Sequence, residues 1–323
     1  MRLSGAARLS VIVPFHNVER YFRACLESLA AQTRPVDEIL LVDDGSTDDS
    51  RGLAERYARA NPAMKVLHGP RRGAAGARNA GLEQASGDLI AFVDADDWLA
   101  PDLYRRTVDL LEKESLEIAL CNGWYHYEGR APDRRIYTDP PLAGPMRGKD
   151  WLAHKIENRT FLHMVWMHLY RRSFLDAHRL RFTEGLMHED VTWTTRALLL
   201  ARRVAYVDEP LYFYRRQPRH FGVQEKDRRL ERVIETAMTD ARMLEEMANA
   251  EEDVRAARAV RWQLVDGGLS VFHKVRQLSD PSLRSAQAKK IGASGYYGLL
   301  WRNAQGARQK RKVLSRRIRS WFP

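Results

Sequence analysis

The chain has 323 residues and a formal net charge of +11, from 53 Lys plus Arg against 42 Asp plus Glu. That length holds one large domain or a domain with an appendage, and 44% hydrophobic residues supply its core. No apolar run approaches the ~18 residues that span a bilayer. Met1 to Gly5 lack a signal-peptide apolar region, and Cys25 and Cys121 fit neither a zinc site nor a disulfide framework, so a reducing cytoplasm is expected.

Strand and helix signals alternate up to about residue 120, as in strand–helix–strand units of a mainly parallel sheet. Leu9–Phe15 reads as a strand and Glu19–Ala31 as a helix. Glu38–Val42 is the second strand, ending at Asp43-Asp44-Gly45. Ser46-Thr47-Asp48-Asp49 reads as a helix start, with a hydroxyl cap and an acid three residues on, in a helix stopped by Pro62. Met64–His68 is a third strand, Gly76–Ala85 a short helix, and Asp88–Val93 a fourth strand. A helix opens at Pro101 and a strand near Leu116. Residues 122–185 read as irregular and aromatic-rich. From Gln224 onward Leu230, Val233, Ile234, Ala237, Ala241 and Leu244 recur at helical spacing. The expected division is a catalytic domain over 1–223, with a nucleotide half at 8–120 and an acceptor half at 121–223. A helical appendage at 224–300 and a tail at 301–323 follow.

The fourth strand, Leu89-Ile90-Ala91-Phe92-Val93, is too short for a helix and suits an interior parallel strand. It runs into Asp94-Ala95-Asp96-Asp97. Ligands of open α/β sheets collect outside the carboxyl ends of strands. Carboxylates crowded there repel one another unless a cation sits among them. Mg²⁺ or Mn²⁺ takes such oxygens while keeping positions for phosphates. One Asp-x-Asp alone reads first as a solvated acidic turn, and the rest of the sequence reverses that reading. Asp44 ends its strand at the same edge, where a carboxylate accepts from a base N–H or ribose hydroxyls. Arg71 to Asn79 is a Gly/Ala loop ending in a helix, a shape that lets backbone approach a diphosphate. Within 94–97, alternation along an extended chain puts Asp94 and Asp96 on one face and Asp97 on the other.

Four elements in order resemble the family 2 glycosyltransferases of GT-A fold: Ser10-Val11-Ile12-Val13-Pro14-Phe15-His16-Asn17, Leu41 to Asp48, Arg78-Asn79-Ala80-Gly81 through Asp97, and His188-Glu189-Asp190. The resemblance covers about residues 8–220. It implies an inverting transfer of a sugar, of hexosyl or N-acetylhexosaminyl class, from a nucleotide diphosphate to an acceptor hydroxyl. Pro14, Asn17, Asp44, Arg72, Arg78, Asp94 and Ala95 would hold the nucleotide-sugar, with Asp44 on uracil. Asp96 would contact Mn²⁺ or Mg²⁺, and Asp97 would face the acceptor or cap the next helix. By the match Asp190 is the base, and Glu189 orients it or the acceptor. Trp166 lies in a segment resembling the family's aromatic stretch on the acceptor side. Tyr212 to His220 resembles the Tyr-Arg segment of a loop that closes over diphosphate, bringing in Arg215 and Arg216. The family's further Arg and Ser are replaced by Gln217 and His220. His220 is then a third metal ligand, a phosphate donor or a solvent-exposed loop residue.

From Arg302 to Pro323 there are eight Lys or Arg and no acid. Leu314, Ile318, Trp321 and Phe322 fall on one helical face among these cations, the pattern of a helix lying on an anionic membrane surface. The expected protein is an α/β glycosyltransferase on the inner face of the cell membrane, acting on a glycan or lipid-linked acceptor. The rivals are a nucleotidyltransferase, which needs a Gly-rich loop with Arg and Lys where Pro14 to Asn17 stand, and a basic nucleic-acid-binding protein. The latter needs basic and aromatic residues interleaved across a domain. Here the basic run is confined to the tail, so no nucleic-acid partner is expected.

Overall fold

The computed structural model describes residues 7–69, 71–129, 132–140, 142, 144–216 and 222–319, with side chains to Arg316. His220, Trp321, Phe322 and the side chain of Ile318 lie outside the described residues. The chain forms two compact units. One holds residues 1–151, 162–185 and 200–217; the other holds 152–161, 186–199 and 218–323.

In the first unit β1 (Leu9–Phe15), α1 (Glu19–Ala30), β2 (Glu38–Asp43), α2 (Ser50–Ala60), β3 (Met64–His68), α3 (Gly73–Gln84) and β4 (Leu89–Phe92) follow in order. These strands pair in parallel as β3-β2-β1-β4. Both faces of β1 and β2 are covered, so Val11, Ile12, Val13, Leu41 and Val42 are fully buried and the strands read as unbroken apolar runs. Gly81 lets α3 sit against β1: a Cβ there would fall 2.4 Å from Ile12 Cγ2.

The chain continues through β5 (Trp98–Leu99), α4 (Leu103–Lys113), β6 (Ile118–Tyr127) and β7 (Arg134–Arg135). After α5 (Gly148–Glu157), which begins in this unit, come β8 (His168–Arg171), α6 (Arg172–Ala177) and, later, β9 (Val204–Arg216). Among the described residues nine strands make one sheet, ordered β3-β2-β1-β4-β8-β6-β9-β5 with β7 on β6. The second half departs from a parallel plan. β8 runs antiparallel to β4 and β6, and β5 antiparallel to β9. Residues 122–185 are correspondingly less irregular than their composition suggests.

A carboxylate lies inside the parallel half. Glu38, 3% exposed, accepts from Ser10 Oγ at 2.7 Å, Ser86 N at 2.8 Å and Lys65 Nζ at 3.0 Å. Burial alone raises its pKa, but these bonds outweigh it and hold the carboxyl at about 2, against 4.5. A depressed folded pKa stabilises above the unfolded value and is lost as pH falls through the folded one. Glu38→Gln should therefore cost about 3 kcal/mol at pH 7. The difference should shrink between pH 5 and pH 2, as read by urea unfolding at several pH values. A constant difference across that range would contradict it.

The second unit is helical: α7 (Asp190–Leu200, its last residue in the first unit), α8 (Val223–Ala250), α9 (Val254–Gln277), α10 (Pro281–Ala293), α11 (Tyr296–Asn303) and α12 (Gly306–Arg319). Ile234, Ala241, Leu244 and Ala248 of α8 and Val260, Leu264, Val265 and Val271 of α9 are buried at helical spacing. Asp253 caps α9 by accepting from Arg255 N and Ala256 N. Gly268 lets α11 approach α9, because a Cβ there would fall 2.5 Å from Leu300 Cδ2. The tail is not a detached helix: α12 turns Gln309 and Val313 inward, and Gln309 Nε2 donates to Trp262 O at 3.1 Å. Leu314 stays 47% exposed. Among the described residues no helix is long and apolar enough to cross a membrane.

Candidate functional site

β1 and β2 end level with one another, and β4 stops three residues earlier along β1. Phe15 stands opposite Asp43, and Ile12 opposite Phe92. Asp44 N donates to Phe15 O at 2.9 Å, and Val93 N to Ile12 O at 3.0 Å. β1 lies between β2 and β4, so the strand order reverses there and opens a crevice at the carboxyl edge. The segments after β1, β2 and β4 line it.

Near the end of β1 half-buried Pro14 leads to Asn17, which adopts φ 52°. Asn17 Oδ1 accepts from Thr47 N at 2.8 Å and its Nδ2 donates to Thr47 Oγ1 at 3.2 Å. Asp43 Oδ1 accepts from Ser46 N at 2.8 Å. These bonds keep Ser46 to Asp48 in a loop, so α2 starts at Ser50 and not at the hydroxyl-rich stretch. The Asp44 carboxylate takes Arg72 N at 3.2 Å on one oxygen and Gly73 N at 2.8 Å on the other. It thereby stabilises the N-terminus of α3, which begins at Gly73 rather than at Gly76. A carboxylate has about four lone-pair sites, which leaves Asp44 able to accept from a ligand as well.

The two arginines of this region behave differently. Arg72 is exposed and pairs with Glu184 at 3.3 Å. Arg78 is 5% exposed and gives Asp94 Oδ1 a 2.7 Å bond, its guanidinium 5.4 Å from the Phe182 ring centroid. That bond fixes the orientation of the Asp94 carboxylate.

The acidic segment is a turn, not an extended chain: Asp97 N donates to Asp94 O at 3.1 Å. The turn itself separates the acids. Asp94 and Asp96 are half-exposed, Ala95 is buried, and Asp97 is fully buried. Asp97 Oδ2 accepts from Tyr212 Oη at 2.9 Å and Oδ1 from Arg215 N at 2.7 Å. Asp97 therefore neither faces an acceptor nor caps α4; it fastens the turn to β9. Burial, then the charges of Asp96 and Asp94, push its carboxyl well above the usual range. Tyr212 Oη also accepts from Asp94 N at 3.1 Å, so one buried phenol holds both ends of the turn. Trp166, 6% exposed, stacks on Tyr212 with centroids 3.9 Å apart. The sequence does not single Tyr212 out for this contact; its place in Tyr212-Phe213-Tyr214, an alternating strand, is the available signal.

Arg215 Nε donates to Asp96 O at 2.9 Å. Its guanidinium lies 4.8 Å from the Tyr21 centroid and 4.5 Å from that of Trp98. Arg216 sits 5.6 Å from the Tyr125 centroid. Both arginines thus belong to the end of β9 beside the acidic turn, which β5 reaches through its Trp98–Phe213 pairing. Among the described residues no group of three or more His, Cys, Asp or Glu is disposed to hold a metal ion. With Asp97 committed to β9, Asp96 and Asp94 are the carboxylates of this turn left for a ligand. That suits a cation bound through one or two carboxylates and completed by substrate phosphates, not a protein cage.

In the second unit, Glu189 is 8% exposed and Asp190 opens α7. Thr194 Oγ1 donates to Asp190 O at 2.7 Å, and Gln263 Nε2 donates to Thr195 Oγ1 at 3.1 Å. Met187 N donates to Thr236 Oγ1 of α8 at 3.1 Å. The Glu189-Asp190 pair is therefore mounted on helices at both sides.

The model of the family described as "Glycosyl transferase family 2" matches residues 10–179. The glycosyltransferase YibD of Escherichia coli K12 is 32% identical over 99% of this chain and 94% of its own length. The structure of Staphylococcus aureus TarS residues 1–349 in complex with UDP-GlcNAc superposes with a TM-score of 0.63 at 19% identity, covering 98% of this chain and 93% of that one. The Pyrobaculum calidifontis mannosyltransferase PcManGT, in complex with GDP-Man and Mn²⁺, has a TM-score of 0.52 at 16% identity, covering 99% and 88%. With a family model across more than half of its length and a relative matched nearly end to end, the chain belongs to glycosyl transferase family 2 and is a glycosyltransferase of GT-A fold.

Proposed function

We propose that this glycosyltransferase moves a sugar from a nucleoside diphosphate, a UDP-sugar first of all, to a hydroxyl of a glycan or lipid-linked glycan with inversion, in surface-polysaccharide assembly. The observation that carries the reading is the acidic turn at the carboxyl edge after β4, with Asp44 at the same edge after β2, one strand away across β1. Asp44, Asn17 and Pro14 receive the nucleoside; Arg72 and the α3 N-terminus supply positive potential for the diphosphate. Asp96, with Asp94 oriented by Arg78, would hold Mn²⁺ or Mg²⁺, which when bound neutralises charge developing on the departing diphosphate. Asp190 takes the proton of the acceptor hydroxyl and Glu189 orients it. UDP-GlcNAc on TarS supports a uridine donor, and Mn²⁺ on PcManGT supports the metal. Family membership sets aside the nucleotidyltransferase and nucleic-acid-binding alternatives.

The test is nucleotide release from a panel of UDP-, GDP- and dTDP-sugars with Mn²⁺ or Mg²⁺ and the full chain. Release from a UDP-sugar ahead of the others is expected. Preference for a GDP- or dTDP-sugar would overturn the uridine assignment.

Membrane association is the second part of the proposal. Arg308, Lys310, Arg311 and Lys312 are exposed on α12. Each contributes about 1 kcal/mol near an anionic surface. Replacing Arg308, Lys310 and Arg311 by Glu should strip most co-sedimentation with anionic vesicles at low salt and leave the fold intact, because Gln309 and Val313 make the inward contacts. Deleting 306–323 should in addition lower stability by roughly 2 kcal/mol, since Val313 is removed from a buried position. Equal vesicle binding by parent and triple variant would rule this surface out.

A further inference from the structure

A cavity of about 530 Å³ opens in the first unit between α4 and the middle of β9. A break in strand register sits at its edge. Cys121 of β6 stands opposite Val207, but Asn122 stands opposite Pro210, so among the described residues Asp208 and Glu209 have no opposite number on β6. Two arginines from other elements hold this bulge. Arg106 of α4 donates to Glu209 through Nε at 3.2 Å and also through Nη2. Arg135 of β7 donates to Asp208 O at 2.7 Å and pairs with its Oδ2 at 2.8 Å. On α4, Asp109, Leu110 and Lys113 follow Arg106 at i+3, i+4 and i+7, so one stripe of the helix makes the facing wall. Glu209 precedes Arg215 by six residues of β9, about 20 Å of extended chain, which sets the cavity apart from the acidic turn.

The lining decides what fits. Its three cations, Arg106, Lys113 and Arg135, are matched by three carboxylates, Asp109, Asp208 and Glu209, so its net field favours neither an anion nor a cation. What the walls offer is donors and acceptors side by side, over the apolar surface of Leu110, Val207 and Pro210. A carboxylate has about four lone-pair sites and a guanidinium five N–H donors, so the two ion pairs keep capacity for a ligand while holding each other in place. A sugar ring matches that set: every hydroxyl both donates and accepts, and the C–H faces of the ring lie against apolar side chains. The volume falls among those of small-ligand sites, about 300–1,000 Å³.

We propose that this cavity is a second carbohydrate-binding site, which takes an uncharged saccharide segment of the glycan that the enzyme extends. In naming the glycan the proposal rests on the acceptor reading above; saccharide binding itself is measured without turnover. The test uses the full chain with isotope-labelled Leu and Val methyl groups, so that Leu110 and Val207 report on the cavity directly. The probes are two neutral tetrasaccharides, one of β-1,4-linked N-acetylglucosamine and one of α-1,4-linked glucose, with inorganic phosphate and glycine as charged and zwitterionic controls. At least one saccharide should move the Leu110 and Val207 methyl resonances saturably, and excess phosphate or glycine should leave them in place. Asp109→Ala combined with Lys113→Ala, both exposed positions, should weaken that binding about tenfold through lost charge-assisted hydrogen bonds. Leu110→Trp, which fills the cavity, should remove it. Methyl shifts with phosphate or glycine alone, or no response to either saccharide, overturn the proposal. So does saccharide binding that survives both variants, since it then lies elsewhere. If Leu110→Trp proves unfolded, the exposed double variant decides alone. Saccharide bound here by a chain that transfers nothing to any glycan would keep the site and sink the acceptor reading.

Discussion

Asp96→Ala should abolish transfer, by at least about 10³-fold in kcat, while leaving the chain folded. A divalent ion is worth several kcal/mol of charge stabilisation on a leaving diphosphate, and about 4 kcal/mol corresponds to that factor. The fold should survive because Asp96 is half-exposed, and its contact with Arg215 runs through the backbone carbonyl, which alanine keeps. Excess EDTA should reproduce the defect in the parent. The measurements are nucleotide release with and without chelator, and calorimetry of UDP with added Mn²⁺, where the variant should lose the metal-dependent part of the binding. Full parent activity in EDTA would remove the metal from the reaction.

Asp190→Asn should lose transfer by about 10²–10⁴-fold, the usual worth of a positioned general base. The amide keeps size and a hydrogen-bonding oxygen but cannot accept the acceptor's proton. The backbone oxygen that receives Thr194 Oγ1 is untouched, so α7 should start as before. Donor affinity by calorimetry should equal that of the parent. If affinity disappears together with turnover, Asp190 is structural.

Most of the parallel half of the sheet was legible because β1, β2 and β4 are buried on both faces. Runs such as Ser10–Phe15 and Leu89–Val93 have one reading in a chain with helices between them. The starts of α2 and α3 were not, because side chains far apart in sequence decide them. Asn17 and Asp43 hold Ser46 to Asp48 out of helix, and Asp44 draws α3 back to Gly73. The acids after β4 were legible as a cluster but not as a division of labour. Which of them is buried depends on Tyr212 and Arg215, and local alternation does not contain that information. Arg78 shows the same limit. Its charge beside a glycine-rich stretch suggests phosphate, and its bond to Asp94 is not contained in that stretch. The tail's inward face was not legible: Gln309 and Val313 are buried while Leu314 stays exposed, because α9 offers Trp262 O to Gln309 one turn before Val313.

The hold of β9 on the acidic turn also sets the order in which this enzyme is made. Arg215 stands 118 residues after Asp97 in the chain. At a synthesis rate of about 5–20 residues per second, the turn leaves the ribosome about 6–24 s before the strand that fastens it. Until then β1 to β4 can pair, but Asp97 has neither Tyr212 nor the Arg215 amide to take its oxygens. A nascent chain stopped near residue 120 should therefore hold a sheet without a working donor site, and nucleotide-sugar is turned over only once the strand ending in Arg216 has been laid down.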